Sequence, residues 1–410
     1  SDCLCNWIRQ HFKDSKMVIG GTEASLRRFV HYDYWDNDLR KPILFDSRAD
    51  ILIYGNAEKQ ILEIAKKLKE RKGLDSVAGT CIIRKEVPKG FVLLPNFDEV
   101  MKSKEKFCEM QNLFSNNKNL AQKIDNRFVL QYKSPKYTSQ DLDKYYELPF
   151  TRKHLGGFEF SVVTHRGCIG ECNFCALRLL QGNRIISRSE KSILQEIEKI
   201  TKMPHFKGNI DDLGGPSANM YGMDCYQCER SCIDCNKLDR SNKRLIDLLR
   251  KAREIKGVKK IIVRSGIRYD LASLNYIKEM GKYHLLNTLR IAPEHVNKKV
   301  LRLMNKDKGD LQKFICDFNK TGRKLSFYFM TAHPGSTMKE AKELAEAIKK
   351  LKNAETVQVF IPTPMTISTC MYWTGLEPKT KKKVYVPYTY REKKEQKRII
   401  FDKTRNGSHI

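Results

Sequence analysis

The sequence predicts an α/β protein: a partial (β/α)6 barrel preceded by an incomplete Rossmann-like α/β layer. Three observations predict it. From Gly156 onward, six apolar stretches of strand length alternate with amphipathic helical stretches. Before them lie two strand-turn-helix units. The unusual polar segments of the second half all fall where a predicted strand ends.

In chain order, "SKMVIGGTEASLRRF" reads as a short strand, a turn at Gly20-Gly21 and a helix start. "ADILIYGNAEKQILEIAKKLKER" repeats the unit, with Ile61, Leu62, Ile64, Ala65 and Leu68 at helical spacing. Two units are too few for a doubly wound sheet, so residues 1–95 are expected to be an N-terminal domain that lacks an earlier portion. Residues 96–150 are polar and rich in Lys, Asn and Ser, and are expected to be an irregular linker. In 151–378 the strands "FEFSVVTH", "GNIDDLGG", "KKIIVRSG", "NTLRIAPEH", "KLSFYFMTAHPG" and "TVQVFIPTP" alternate with helices, the first opened by Ser189. Strict alternation implies a parallel sheet with right-handed crossovers. Six units suit a partial barrel better than a closed eight-unit one.

A chain of 410 residues buries a full core, and its 40% hydrophobic composition holds no apolar run near the roughly 20 residues a membrane span needs. The N-terminus lacks the layout of a secretory signal and has no initiator Met, so a cytoplasmic protein cut from a longer chain is expected. Thirteen cysteines in a reducing compartment point to metal, and seven of them lie between Cys168 and Cys235. The net charge of +29 attracts polyanions such as RNA; a solvated basic surface produced by general Lys usage accounts for it as well. Residues 379–410 form a basic tail, with eleven Lys or Arg against three acids between Lys379 and Arg405. Its Tyr385, Tyr388 and Tyr390 suit base stacking, and a mobile solvated tail is the alternative.

"CIGECNFC" places Cys168, Cys172 and Cys175 at offsets 0, 4 and 7. On a helix these would share a face as small buried hydrophobes, but Gly167 and Gly170 break a helix there. A structural zinc takes four ligands, so three thiolates leave it short. A 4Fe-4S cubane has four iron corners, and three thiolates leave one free for a second ligand. The spacing, with Phe174 before the third cysteine, resembles the signature of the radical S-adenosylmethionine (SAM) superfamily. "VIGGTEASLRRFVHYDYWDN", "YGNAEKQILEIAKKL", "DDLGGPSANMY", "SGIRYD", "IAPEH", "AHPGST" and "PMTISTCMYWTGLEP" look like the YgiQ family within it, over roughly residues 17–378.

That resemblance implies a cobalamin-binding-like N-terminal layer, of which only the later part is present here, although no Asp-x-His-x-x-Gly cobalamin ligand motif occurs. It implies that Cys168, Cys172 and Cys175 bind a 4Fe-4S cluster, and that Gly214 and Gly215 accept the SAM amino group with their carbonyls. Pro216 stands where the superfamily usually has Glu. Arg264, Ser265 and Glu294 sit at strand ends where the SAM carboxylate and ribose are usually held; ordinary loop salt bridges are the alternative. His295 and His333 suit proton transfer near neutral pH, or a structural role in the loops. The implied activity is reductive cleavage of SAM to a 5'-deoxyadenosyl radical, with a one-electron donor such as flavodoxin or ferredoxin as partner and no membrane.

"CYQCERSCIDC", in a Cys-rich insert over 221–238, supplies Cys225, Cys228, Cys232 and Cys235: a full set for zinc or for an auxiliary iron-sulfur cluster, or four thiols without metal. Cys3, Cys5, Cys81, Cys108, Cys316 and Cys370 are isolated or loosely spaced. The alternative to an enzyme is a zinc- or iron-sulfur-stabilised RNA-binding protein without SAM chemistry.

Overall fold

A computed structural model describes residues 2–153, 157–225, 228, 231–351 and 354–405. Tyr226, Gln227, Glu229 and Arg230 of the Cys-rich insert, Gly156 and the last five residues of the basic tail lie outside the described residues.

The N-terminal layer is a six-stranded mixed sheet in the order Val18–Ile19, Ile51–Ile53, Thr80–Arg84, Arg127–Gln131, Leu120–Ile124, Val92–Leu94. The first and last pairs are parallel and the middle pairs antiparallel. Period-two alternation divides the sheet between two cores. Ile51, Ile53, Ile82, Ala121 and Leu130 pack on one face, where Ile64 of the helix Glu58–Lys69 covers them. Leu52, Tyr54, Cys81, Leu120 and Val129 point the other way, into a cluster shared with Phe360, Met365, Cys370 and Tyr372 of the C-terminal half.

Two expectations fail here. Residues 96–150 are not an irregular linker: they hold the helices Phe97–Lys102 and Lys104–Leu113, the hairpin Leu120–Ile124 with Arg127–Gln131, and the helix Ser139–Tyr146. The Lys, Asn and Ser that make the segment polar lie mostly in its helices and connecting turns, while Leu120, Ile124, Val129 and Leu130 of the hairpin are fully buried. The layer therefore has six strands, not the two read from the apolar stretches.

The barrel follows as expected. Six parallel steps run Ser161–Val163, Asn209–Ile210 with Asp212–Gly214, Lys260–Ile261, Thr288–Glu294, Lys324–Thr331 and Ala354–Val359. A single bridge, Ile267 to Ile291, joins the third step to the fourth. The helices Glu190–Thr201, Lys243–Glu254, Leu274–Glu279, Leu311–Asn319 and Met338–Leu351 flank it. The Ser189 hydroxyl accepts from the Ser192 N–H, capping the first of these as its sequence indicated. Ile193, Ile197, Leu248, Leu249, Ile277, Phe318 and Leu344 bury their helices against Val162, Leu213, Ile261, Ile291 and Phe329 of the strands. At roughly 1.5–3 kcal/mol for each such side chain, this apolar interior dominates the stability of the half-molecule.

The basic tail is not a solvated strand of chain. Tyr390–Arg405 is a helix that packs on Met338–Leu351, with Ile400 fully buried in the barrel core. Gln396 is also fully buried: its Oε1 accepts from Thr331 Oγ1 and Ala332 N at 3.1 Å, and its Nε2 donates to the Ser336 carbonyl at 2.8 Å. Among the described residues no helix is long and apolar enough to cross a membrane.

Candidate metal and cofactor site

The three-cysteine loop leaves the first barrel strand through His165–Arg166 and returns through Ile186–Ser187, an antiparallel pair that forms its neck. At Gly167, φ is +89° and a Cβ would collide with the Arg184 carbonyl, so glycine is needed twice over. Cys168 N–H donates to the Gly182 carbonyl at 3.1 Å, and Cys175 N–H to the Cys172 carbonyl at 3.1 Å. Asn173 pins the middle of the loop: its N–H reaches the Met304 carbonyl, its Nδ2 the Leu303 carbonyl, and its own carbonyl accepts from Ser368 N–H, each at 2.9 Å. The loop is thus held to two barrel segments by bonds that ignore the sulfur atoms.

All three cysteines are half-buried and free of disulfides. Burial pushes the Cys175 thiol up to about 11 and raises Cys168, and the neighbouring thiols push in the same direction, so the sulfurs share one electrostatic neighbourhood. Arg268, 93% buried, donates from Nη1 to Cys172 Sγ at 3.2 Å and is held by Asp270 at 2.9 and 2.6 Å. Asn219 clamps the Arg268 backbone on both sides, accepting its N–H and donating to its carbonyl. Gly170 leaves room for this arginine, since a Cβ there would stand 2.8 Å from Nη1. Among the described residues no three His, Cys, Asp or Glu side chains converge on the position of a single ion. A cubane presents separate irons to separate thiolates, and three half-buried thiols on one loop beside a guanidinium fit it.

The glycines that end the second strand serve packing. A Cβ on Gly215 would fall 2.5 Å from the His165 ring, and one on Gly214 would fall 2.9 Å from Ser265 Oγ. The Gly214 carbonyl already accepts from Thr164 N at 2.8 Å and Thr164 Oγ1 at 3.1 Å, so the amino-group contact implied for it is taken. Ser265 donates its hydroxyl to Asp212, which also accepts the N–H groups of Arg264 and Ser265. The Arg264 guanidinium is exposed and donates to the Gly157 carbonyl at 3.2 Å, over the Phe158 ring. Phe174 packs edge-on to His333, with centroids 6.4 Å apart.

Glu294 is the strand-end residue that shares charged neighbours, Lys306 and Arg268, with the cysteines. It sits at φ +69°, 95% buried, with Oε1 3.2 Å from Lys306 Nζ and Oε2 without a partner. Burial raises its carboxyl, against Lys306 and Arg268, and Lys306 in turn acts on Cys168 and Cys175. A buried acceptor left open beside the thiols fits a hydroxyl of a bound ribose. His295 and His333 do not suit proton transfer near neutral pH: burial pushes them down to about 4 and about 3. His333 spends both nitrogens, on the Pro334 carbonyl at 2.8 Å and Ser368 Oγ at 2.7 Å. Arg268, Asn219, Asp212 and Lys306 were not singled out from sequence, although "SGIRYD" and "DDLGGPSANMY" contain three of them.

The Cys-rich insert lies over this loop. Ile233 and Cys232 share an apolar cluster with Ile169 and Cys168, and Ser231 Oγ donates to Glu171 Oε2 at 2.6 Å. Arg184 donates to the carbonyls of Cys225 and Cys228. Burial raises the Cys232 thiol, Arg184 opposes this, and Cys225, Cys228 and Cys235 add to it, so all four sulfurs feel one another.

Comparison with known proteins agrees with this geometry. Residues 2–162 match the radical SAM N-terminal family, 162–348 the radical SAM superfamily, and 355–403 a domain of unknown function, DUF3362. The chain is 44% identical to a UPF0313 protein of Methanocaldococcus jannaschii over 96% of its own length and 72% of that protein. It is 40% identical to a UPF0313 protein of Fusobacterium nucleatum over 98% and 79%. Among solved structures it is similar to the radical SAM methyltransferase TsrM of Kitasatospora setae with cobalamin and a [4Fe-4S] cluster bound. The TM-score is 0.55 at 13% identity, covering 99% of this chain and 74% of that one. It is also similar to the cobalamin-dependent radical enzyme OxsB, with TM-score 0.53 at 13% identity, covering 97% and 45%. At such identity the two structures share its fold. With the fold, the cysteine loop and these relatives together, the chain belongs to the UPF0313 (YgiQ-like) family of radical SAM enzymes.

Proposed function

We propose that Cys168, Cys172 and Cys175 hold a 4Fe-4S cluster whose open iron takes SAM, and that the barrel directs the resulting radical chemistry onto a substrate not yet assigned. The observation that carries this is the trio of half-buried free thiols with the Arg268 guanidinium 3.2 Å from the middle one. When bound, the cluster supplies one electron to the sulfonium of SAM, breaking the C5'–S bond to give methionine and a 5'-deoxyadenosyl radical that takes a hydrogen atom from the substrate.

The protein's own residues bind, orient and exclude water. Arg268 places a fixed positive charge and an N–H donor 3.2 Å from the Cys172 sulfur, where they would meet the negative charge of a thiolate-ligated cluster. Glu294 offers its open Oε2 to a ribose hydroxyl, while Lys306 keeps the other oxygen in place. Gly215 lets the strand end close on the His165 ring, and with the Gly214 carbonyl taken, its carbonyl is the one left for the SAM amino group. Ser265 and Asp212 set the strand ends around that edge. The insert over 221–238 closes the apolar side of the loop through Ile233 and Cys232.

A second metal, zinc or an auxiliary cluster, on Cys225, Cys228, Cys232 and Cys235 belongs to the same reading, as does a small one-electron donor such as flavodoxin or ferredoxin. The similar structures TsrM and OxsB bind cobalamin, and residues 1–410 contain no Asp-x-His-x-x-Gly motif that would ligate it. Anaerobic reconstitution followed by dithionite and SAM should yield 5'-deoxyadenosine. A Cys172→Ala protein that still produced it would overturn the assignment, and iron and zinc analysis with electron paramagnetic resonance separates one cluster from two.

A further inference from the structure

A cavity of about 480 Å³ lies away from the cysteine loop, where the N-terminal layer meets the C-terminal segment. Tyr34, Tyr372, Trp373, Tyr388 and Tyr390 line it, with Lys393 among them and Lys104 at its edge. Several of these rings are exposed to a degree that burial does not explain. Tyr390 is 78% and Tyr388 49% exposed, and the neighbouring Trp35, whose ring meets Tyr34 at 5.9 Å, is 84% exposed. The rings behind them are rigidly stacked: Tyr32 lies on Trp373 at 5.0 Å, and Tyr388 stands edge-on to Tyr372 at 5.4 Å.

The cation is the second observation. Lys393 is 95% buried, yet among the described residues it forms no ion pair with a carboxylate. Its Nζ reaches the Tyr372 hydroxyl at 2.6 Å and the Tyr34 hydroxyl at 3.4 Å, and lies 4.7 and 5.0 Å from the centres of those two rings. The adjacent Glu392 carboxyl feels this charge without forming an ion pair with it, and neutral oxygens and ring faces compensate an ammonium only in part, so a buried positive charge facing a cavity favours an anion there. The C-terminal wall is basic in sequence, with eleven Lys or Arg against three acids from Lys379 to Arg405, while Asp36 and Asp38 flank Asn37 on the opposite wall. An anion flanked by open aromatic faces is the chemistry of a phosphorylated base. Extended basic surroundings favour a strand of them over one nucleotide.

We propose that this aromatic cavity is a binding site for single-stranded nucleic acid, in which Tyr388, Tyr390 and Trp35 stack bases and Lys393 with Lys104 meets a phosphate. It falls largely within the 355–403 segment, whose family has no assigned function. Its floor residue Tyr372 touches Phe360 at 6.1 Å, Phe360 touches His333 at 4.9 Å, and His333 touches Phe174 at 6.4 Å. The site is therefore three ring contacts from the cysteine loop, and it stands whether or not that loop performs SAM chemistry.

The test is fluorescence anisotropy of a labelled oligouridylate of roughly 12 nucleotides with the full chain, alongside quenching of tryptophan emission. Binding is expected, weakening steeply with salt and quenching Trp35 and Trp373. Tyr390→Ala and Tyr388→Ala should each weaken it at least about fivefold, the factor one base stack supplies. Lys104→Glu should flatten the salt dependence. Tyr390 and Lys104 are exposed, so these variants should fold, and unchanged circular dichroism and unchanged SAM cleavage without RNA would verify it. Binding that ignores the tyrosine variants would overturn the proposal in favour of a diffuse basic surface. Equal affinity for duplex RNA would overturn the stacking, and equal affinity for uridine monophosphate would replace the strand by a free nucleotide.

Discussion

The two cysteine groups differ in what holds them. The loop from Cys168 to Cys175 hangs from buried structure: Asn173 bonds to three backbone groups, Arg268 is clamped by Asn219 and Asp270, and the neck strands rest on a buried ion network. The group from Cys225 to Cys235 is divided: Cys232 is buried beside Ile233, while Cys228 is exposed and the carbonyls of Cys225, Cys228 and Cys235 are held by the side chains of Arg184 and Arg240. A site whose geometry is fixed before its ligand arrives pays little ordering entropy on binding, whereas a group with an exposed member leaves more of that ordering to any ligand it takes. On the reading proposed above, the first loop is a preformed centre and the second a cover that a bound metal would order.

The largest effect should separate the two. Cys172→Ala is expected to abolish both the iron-sulfur absorbance and 5'-deoxyadenosine formation, while Cys228→Ala retains cleavage of SAM with at most a partial loss. Quantitative chromatography of 5'-deoxyadenosine on matched preparations checks it. Equal loss in both variants would merge the two groups into one functional unit.

How far this contrast was legible depends on the range of the interactions. The cysteine offsets and strand alternation are local patterns, and the structure shows the alternation with the cysteine loop following the first barrel strand. The partners that distinguish the loops are distant in sequence: Arg268 lies 96 positions from Cys172, and Cys108 and Cys370, which looked isolated, meet with sulfurs 3.8 Å apart across 262 positions. No period or spacing encodes such pairs. The hairpin Leu120–Ile124 with Arg127–Gln131 was missed for another reason, the Lys, Asn and Ser of the flanking helices and turns outweighing its buried alternate positions in a composition reading. The helix Tyr390–Arg405 was missed similarly, since Ile400 and Gln396 are buried among many charges.

Next in size is the ion network below the first loop. Arg188, almost fully buried, donates to Glu196 and to the Val163 carbonyl, and Arg152 pairs with the other Glu196 oxygen. Glu196→Gln leaves two buried guanidiniums facing a neutral amide, and the loss of one partner from such a network costs about 3–5 kcal/mol. Urea unfolding of anaerobic protein should show it. A change below about 1 kcal/mol would mean that the neck does not depend on this network.

A pH dependence comes third. His333, behind Phe174, is pushed by burial to about 3, and His165, behind Gly215, to about 4. An unfolded histidine takes up its proton near 6.5, so between that pH and the folded values the unfolded state binds more protons. These residues therefore stabilise the fold fully above about pH 6.5, and each removes up to about 1.4 kcal/mol per pH unit as the pH falls toward 4. The insert's cysteine run contains no histidine and contributes nothing to this slope. His333→Gln should flatten the dependence of the urea midpoint between pH 7 and pH 5; an unaltered slope would show that His333 is not held neutral.

The smallest effect tests the link between the two groups. Arg184 touches both: its carbonyl crowds Gly167 at the start of the first loop, and its side chain donates to the Cys225 and Cys228 carbonyls in the second. Arg184→Ala keeps the backbone contact and removes only the side-chain bonds, a cost of about 1 kcal/mol because water replaces them at a half-exposed site. Global stability should hardly move. Cys228 and Cys225 should react faster with a maleimide in metal-free protein, while the electron paramagnetic resonance signal assigned to Cys168, Cys172 and Cys175 persists after reconstitution. If that signal were lost with the side chain, the insert would be a structural part of the reaction centre, and the difference between a preformed loop and a ligand-ordered cover would not hold.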